Sequence, residues 1–186
     1  MNSSWEGISW IDRDGVLLEE LPVVWGEPTR RITKLVDEYR PATILSFGEG
    51  KEGAFHLETK ALNKRDERLD ENGELPALKF NLMDGPSERY LRTDVKELRA
   101  FLLEKRYPTL ISSDAGQYLC EETIFALAGL SAINEELTRV YFCHLPPYGT
   151  EVEIANEKIR VNAGLLKGFV TKLIDFLKIG ETKMVI

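Results

Sequence analysis

Cysteine and histidine are both scarce here, with two of each in 186 residues, and each scarcity excludes something. Cys120 and Cys143 are too few to staple a small fold, so the chain must stand on a hydrophobic core. Repeated zinc-ligand pairs are ruled out by the same count. Long hydrophobic runs are missing too, the longest falling far short of the roughly 20 residues that span a bilayer. No basic segment followed by an apolar stretch opens the sequence, so the expected setting is cytoplasmic, with reduced thiols. Positive charge is in deficit: 24 Lys and Arg stand against 31 Asp and Glu, a formal net charge of −7. A nucleic-acid partner needs clustered basic charge, and these basic residues are mixed among acids on helix faces. The expectations are therefore no membrane and no nucleic acid.

What remains is ordinary globular composition, 43% hydrophobic and 30% charged, most simply one domain over residues 1–186. Short apolar runs alternate with helical patterns. Val16 to Trp25 reads as a strand weakened by Pro22. Glu27 to Tyr39 reads as a helix, with Ile32, Leu35 and Val36 on one face and Pro28 in its first turn. "ATILSFG" after Pro41 reads as a buried strand, giving a parallel βαβ unit. Helix Val95–Arg106, strand "TLISS", helix Cys120–Ile133, strand "RVYFCHL" and helix Asn162–Leu177 continue the alternation. The expected fold is a three-layer α/β/α sandwich around a twisted, mostly parallel sheet. Between the halves lies a long interruption from Glu49 to Glu88, in which "ALNKRDERLDENGEL" suggests a β-hairpin arm turning at Asn72-Gly73.

In such sheets function collects at the carboxyl ends of strands. Cys120 follows a strand and the polar turn "SSDAGQY" and stands at or near the start of a helix. If the helix starts near Leu119, Cys120 feels the positive end of the dipole, which favours thiolate. If Asp114 caps it, with Gln117 three residues on, Cys120 lies nearly two turns inside. A buried packing thiol is an equal reading of this residue alone. His144 ends its strand before Pro146-Pro147, where a general base for a thiol belongs, or where a structural histidine is satisfied by backbone. Glu58 is able to orient an imidazole, as the third member of a triad does, but is one acid among 31. His56-Leu57-Glu58 also has the H-x-E pattern of zinc deaminases. That chemistry needs a P-C-x-x-C pair, and neither cysteine sits in one, so no metal is expected.

Taken together, these segments resemble the pyroglutamyl peptidase type I, or pyrrolidone carboxyl peptidase, family. "SSDAGQYLC" is similar to its nucleophile motif, "RVYFCHLPPYG" to its histidine segment, and "LETKALNKRDERLDENGE" to its glutamate segment. "NSSWEGI" and "ELPVVWGE" resemble two further family segments. The resemblance implies a cytosolic cysteine peptidase, an omega peptidase that removes N-terminal pyroglutamate from peptides without metal or organic cofactor. It implies Cys120 as nucleophile, His144 as base and later acid, and Glu58 as the orienting carboxylate. Asn2, Lys51 and the backbone around Tyr118 and Leu119 would contact substrate or oxyanion. Lys51 stands nearest to where the family carries an arginine, and Cys143 would be a packing residue. A homo-oligomer, dimer or tetramer, is implied as well. The family's first strand and an aromatic pocket loop precede its Asn-x-Ser-Trp segment, and here that segment opens the sequence, so both are expected to be absent. The alternative is a family member without this activity, acting as a binding protein or hydrolysing another small amide.

Overall fold

The computed structural model describes residues 15–177, together with the backbone of Met184 and Val185. Its elements run β1 (Val16–Leu17), α1 (Glu27–Tyr39), β2 (Thr43–Glu49), β3 (Phe55–Glu58), β4 (Lys60–Leu62), β5 (Glu88–Tyr90), α2 (Lys96–Glu104), β6 (Thr109–Ser112), α3 (Leu119–Ile133), β7 (Arg139–Leu145), β8 (Glu151–Ile154), β9 (Glu157–Arg160), α4 (Ala163–Phe176) and β10 (Met184–Val185). The main sheet has the order β1-β10-β2-β7-β3-β6. All neighbours pair in parallel except β3 with β7, which are antiparallel. The expected fold class is the observed one.

Alternation along the strands decides which helix meets which side chain. Leu45, Phe55, Leu57, Tyr141, Cys143 and Leu145 share one core with Leu98 and Leu102 of α2 and Leu166, Phe169 and Leu173 of α4. Ile44, Val140 and Phe142 face the other way, against Ile32 and Val36 of α1 and Ile124 and Leu127 of α3. Helices therefore cover both faces, which is why β2 and β7 read as nearly continuous apolar runs. Cys143 is buried in the first core, a packing residue whose thiol is pushed well up by burial and by the charge of Glu58.

Two readings of the sequence need correction. The strand expected from Val16 to Trp25 is only Val16–Leu17, because Pro22 and the turn before Gly26 interrupt the pairing. It lies parallel to β2, but β10 sits between them. The hairpin arm around Asn72-Gly73 does not form. Asp70 instead accepts from the amides of Trp25, Asn72 and Glu74, building a local turn, and β4 pairs across the long interruption with β5. Glu58 closes β3, a short strand whose sequence "FHLE" carries no strong signal of its own.

Candidate active site

The ambiguity over the start of α3 resolves in favour of the late start. Gly116 and Gln117 adopt left-handed conformations, φ 86° and 55°. They stop any helix begun at Asp114, so α3 opens at Leu119 with extended Tyr118 as its N-cap. Cys120 therefore sits in the first turn, within reach of the helix's unpaired N–H groups. No side chain caps this end, which leaves the amides around Leu119 and Cys120 for an incoming oxyanion.

His144 and Glu58 come from β7 and β3. The antiparallel register sets His56 opposite His144 and Glu58 opposite Phe142, so all four side chains point to the α3 face of the sheet. His144 Nδ1–H donates to Glu58 Oε1 at 2.8 Å, with both residues buried. A carboxylate only accepts, so this bond fixes the tautomer and leaves Nε2 for Cys120. Burial by itself would push the His144 pKa down. Hydrogen bonds to Cys120 and Glu58, with their charges, outweigh it and raise the pKa to about 9. Phe142 packs edge-on to the ring at 5.0 Å. The second oxygen of Glu58 is buried with no hydrogen-bond partner among the described residues, so its charge is balanced chiefly through the imidazole.

Two glycines of β2 and the turn beyond make room for this arrangement. A Cβ on Gly48 would lie 2.8 Å from Cys120 Sγ, 3.1 Å from the Phe142 ring and 3.2 Å from His144 Cδ2. A Cβ on Gly50 would lie 2.5 Å from His144 Cβ. Neither was singled out from the sequence as part of the site, although "SFGEG" at a strand's carboxyl end is the available signal.

The three side chains open onto a cavity of about 560 Å³. Leu21, Pro22, Val23, Phe47, Leu119 and Phe142 give it an apolar wall, and Lys51, His56, Ser112 and Asp114 a polar one. Lys51 and Tyr118 both line it, with Lys51 Nζ 3.5 Å from Asp114. Asn2 lies outside the described residues. Arg68, not singled out from the sequence, also lines the cavity, its guanidinium 4.4 Å from the Tyr118 ring centre. His56 proves to be a wall residue, its pKa lowered chiefly by burial. Among the described residues no group of three His, Cys, Asp or Glu is placed to hold a metal ion, and no helix is long and apolar enough to cross a membrane.

The acidic pair after the nucleophile is built into the scaffold. Glu122 is fully buried and bonds Arg65 at 3.0 Å, Thr29 Oγ1 at 2.9 Å and the Gly26 amide at 3.2 Å. Glu121 accepts from the backbone amides of Leu62 and Gln117.

The chain is similar to known proteins in both sequence and fold. Residues 2–166 match the family model for pyroglutamyl peptidase. Over 154 residues the chain is 28% identical to a pyrrolidone-carboxylate peptidase of Enterobacter sp. (strain 638) and 27% identical to one of Yersinia pestis, in each case covering 78% of this chain and 71% of the relative. Among solved structures, pyroglutamyl peptidase I of Bacillus amyloliquefaciens superposes with a TM-score of 0.77 at 16% identity, over 91% of this chain and 86% of that one. A mutant pyrrolidone carboxyl peptidase of Pyrococcus furiosus gives 0.71 at 21%, over 86% and 80%. The chain belongs to the pyroglutamyl peptidase family, whose members are cysteine peptidases.

Proposed function

We propose that this chain removes N-terminal pyroglutamate from peptides, with Cys120, His144 and Glu58 as its catalytic residues. The observation that carries the reading is the convergence of these three, from α3, β7 and β3, on one cavity at the carboxyl ends of β2 and β7. Cys120 Sγ attacks the pyroglutamyl carbonyl carbon while its proton resides on His144. The resulting oxyanion lies against the free amides at the start of α3. His144 then gives the proton to the departing peptide nitrogen, the C–N bond breaks, and a thioester to Cys120 remains. Water, deprotonated by His144, attacks the thioester, releasing pyroglutamate and restoring the thiol. Every step is assigned to side chains or backbone amides of this chain, with one water.

The apolar wall of the cavity suits a lactam, which has no charged amine. An ordinary N-terminus would bury an unpaired ammonium there. Tyr118 and Leu119 present backbone to the site, Lys51 stands at its rim, and Asn2 completes the set of proposed substrate contacts. A single peptidase domain in a reducing cytoplasm keeps Cys120 free. Assembly into a homo-oligomer is supported by exposed Leu75, Leu78, Phe80, Leu82 and Met83 on the segment between β4 and β5.

The test is release of a fluorescent amine from a pyroglutamyl amide under reducing conditions, by this chain and by Cys120→Ala. Activity that vanishes in the variant supports the reading. A folded chain that leaves this substrate untouched while cleaving another small amide would replace it.

A further inference from the structure

We propose that Glu121, the residue directly after the nucleophile, is a positioning residue whose carboxylate ties the turn bearing Cys120 to β4 and so sets where the thiol stands against His144. The functional part of this inference rests on the peptidase reading, while its structural part does not.

Glu121 is 2% exposed and forms no ion pair among the described residues. Burying a carboxylate without a cation is costly, and an apolar residue would fill the same space at less expense. Its two oxygens are spent on backbone. One accepts the N–H of Leu62, the last residue of β4, and the other accepts the N–H of Gln117 at 3.1 Å. Gln117 holds φ 55°, a conformation that non-glycine residues adopt only when their surroundings impose it. Its carbonyl is fixed as well, accepting from the Asp66 amide at 2.8 Å. Both backbone groups of the residue that turns the chain into α3 are thus pinned, the N–H by Glu121. Releasing that bond frees the turn three residues before Sγ.

The tie is strongest in the ionised form. Protonation leaves one carbonyl oxygen as acceptor and turns the other oxygen into a hydroxyl, a weaker acceptor, so one of the two bonds is weakened. The charged groups around Glu121 are Glu58 on β3, Lys60 on β4, Asp114 in the turn, and the Arg65–Glu122 pair beside it. Burial pushes its pKa up, the two amides pull it back, and Asp114 and Glu58 push it up further, for a net rise. The turn should therefore loosen on acidification before ordinary exposed glutamates protonate.

The test uses the full chain and Glu121→Gln, which preserves shape but aims an amide NH2 at one of the two N–H groups. Expected are a kcat lower by about tenfold to a hundredfold, the scale on which small misplacements act, with KM changed less than about threefold. Cys120 alkylation by iodoacetamide, followed by mass spectrometry, should slow, and the acid limb of the parent's kcat profile should vanish. In the parent, the Leu62 and Gln117 amide resonances should titrate together, with a midpoint above the usual glutamate range. Unchanged kcat and alkylation in a folded variant would overturn the proposal, as would amide resonances that do not titrate. A parent without peptidase activity defeats the proposed function alone, since alkylation and amide titration still judge Glu121. If the variant does not fold, the titration of the parent decides.

Discussion

Gly48→Ala is the sharpest test of the site's geometry, because one methyl group would enter the space between nucleophile and base. The added Cβ meets Cys120 Sγ at 2.8 Å, the Phe142 ring at 3.1 Å and His144 Cδ2 at 3.2 Å. Ordinary non-bonded contacts lie at about 3.5–4.0 Å, so the thiol must retreat by roughly 1 Å or the imidazole must turn. None of the three neighbours yields easily. Phe142 is core, His144 is held by Glu58 at 2.8 Å, and Cys120 is fixed in the first turn of a buried helix. Gly48 does not have a positive φ, so alanine brings no backbone strain and the perturbation is steric. A misplacement of about 1 Å costs on the order of a hundredfold in rate, or about 2.7 kcal/mol of transition-state stabilisation. The assay is kcat/KM on a pyroglutamyl amide beside thermal unfolding and Cys120 alkylation. A folded Gly48→Ala protein within threefold of the parent's kcat/KM would refute the argument that Cys120, His144 and this backbone position share one closely packed volume.

Other substitutions probe other parts of the site. Glu58→Gln removes the charge that helps raise His144, so the imidazole should lose its proton at lower pH. The alkaline limb of the rate profile should then shift to lower pH and kcat should fall by about 10²-fold or more; an unmoved limb would count against the assigned role. The raised His144 pKa also stabilises the fold. With about 9 in the folded state against roughly 6.5 unfolded, the contribution is full below about pH 6.5 and lost as pH rises through about 9. Chemical denaturation at pH 6 and pH 10 should show that loss, and a smaller one in His144→Ala. Arg65→Met leaves Glu122 buried without its cation and should cost roughly 3 kcal/mol, the low end for a broken buried pair because Thr29 and the Gly26 amide remain. Chemical denaturation checks this, and a variant within about 1 kcal/mol of the parent would contradict it. Cys143→Ala should lower the unfolding temperature modestly while activity persists, since its thiol lies in the core on the opposite face from the cavity.

How much of this was legible depended on whether a feature is local. α1, with Pro28 in its first turn and a regular apolar face, and β7, a continuous apolar run, appear at their expected bounds. Both signals lie within the segment itself. The start of α3 was ambiguous because two capping patterns competed, and the decision came from left-handed Gly116 and Gln117, the latter pinned by Asp66 and Glu121. The false hairpin had the right turn residues, but its flanks are charged and offer no apolar face to pair. Asp70, which the sequence reading ignored, gathers that turn and ties it to Trp25. Glu121 and Glu122 fit the acidic first turn of a helix, a pattern that says nothing about burial. Apart from Gln117, their partners, Leu62, Arg65, Thr29 and Gly26, come from distant parts of the chain.

The element that carries the orienting carboxylate is the least marked in the sequence and the most constrained in the fold. β3 runs against its neighbour β7 while the remaining pairings of the sheet are parallel. That reversal sets Glu58 opposite Phe142 and diagonal to His144. Diagonal cross-strand neighbours on one face lie about 7–8 Å apart, a gap that a glutamate side chain and an imidazole close together. A directly opposite residue stands too near to point its carboxylate at Nδ1, and His56 occupies that position. Register is therefore under strong constraint here, since a slip of one residue would send Glu58 into the opposite core and leave Leu57 facing the cavity. Phe55 and Leu57 oppose such a slip. Both are buried among α4 and β7 side chains, with Phe55 stacked on Phe169 at 3.8 Å. The apolar core on one face of β3 thus holds the catalytic geometry on the other.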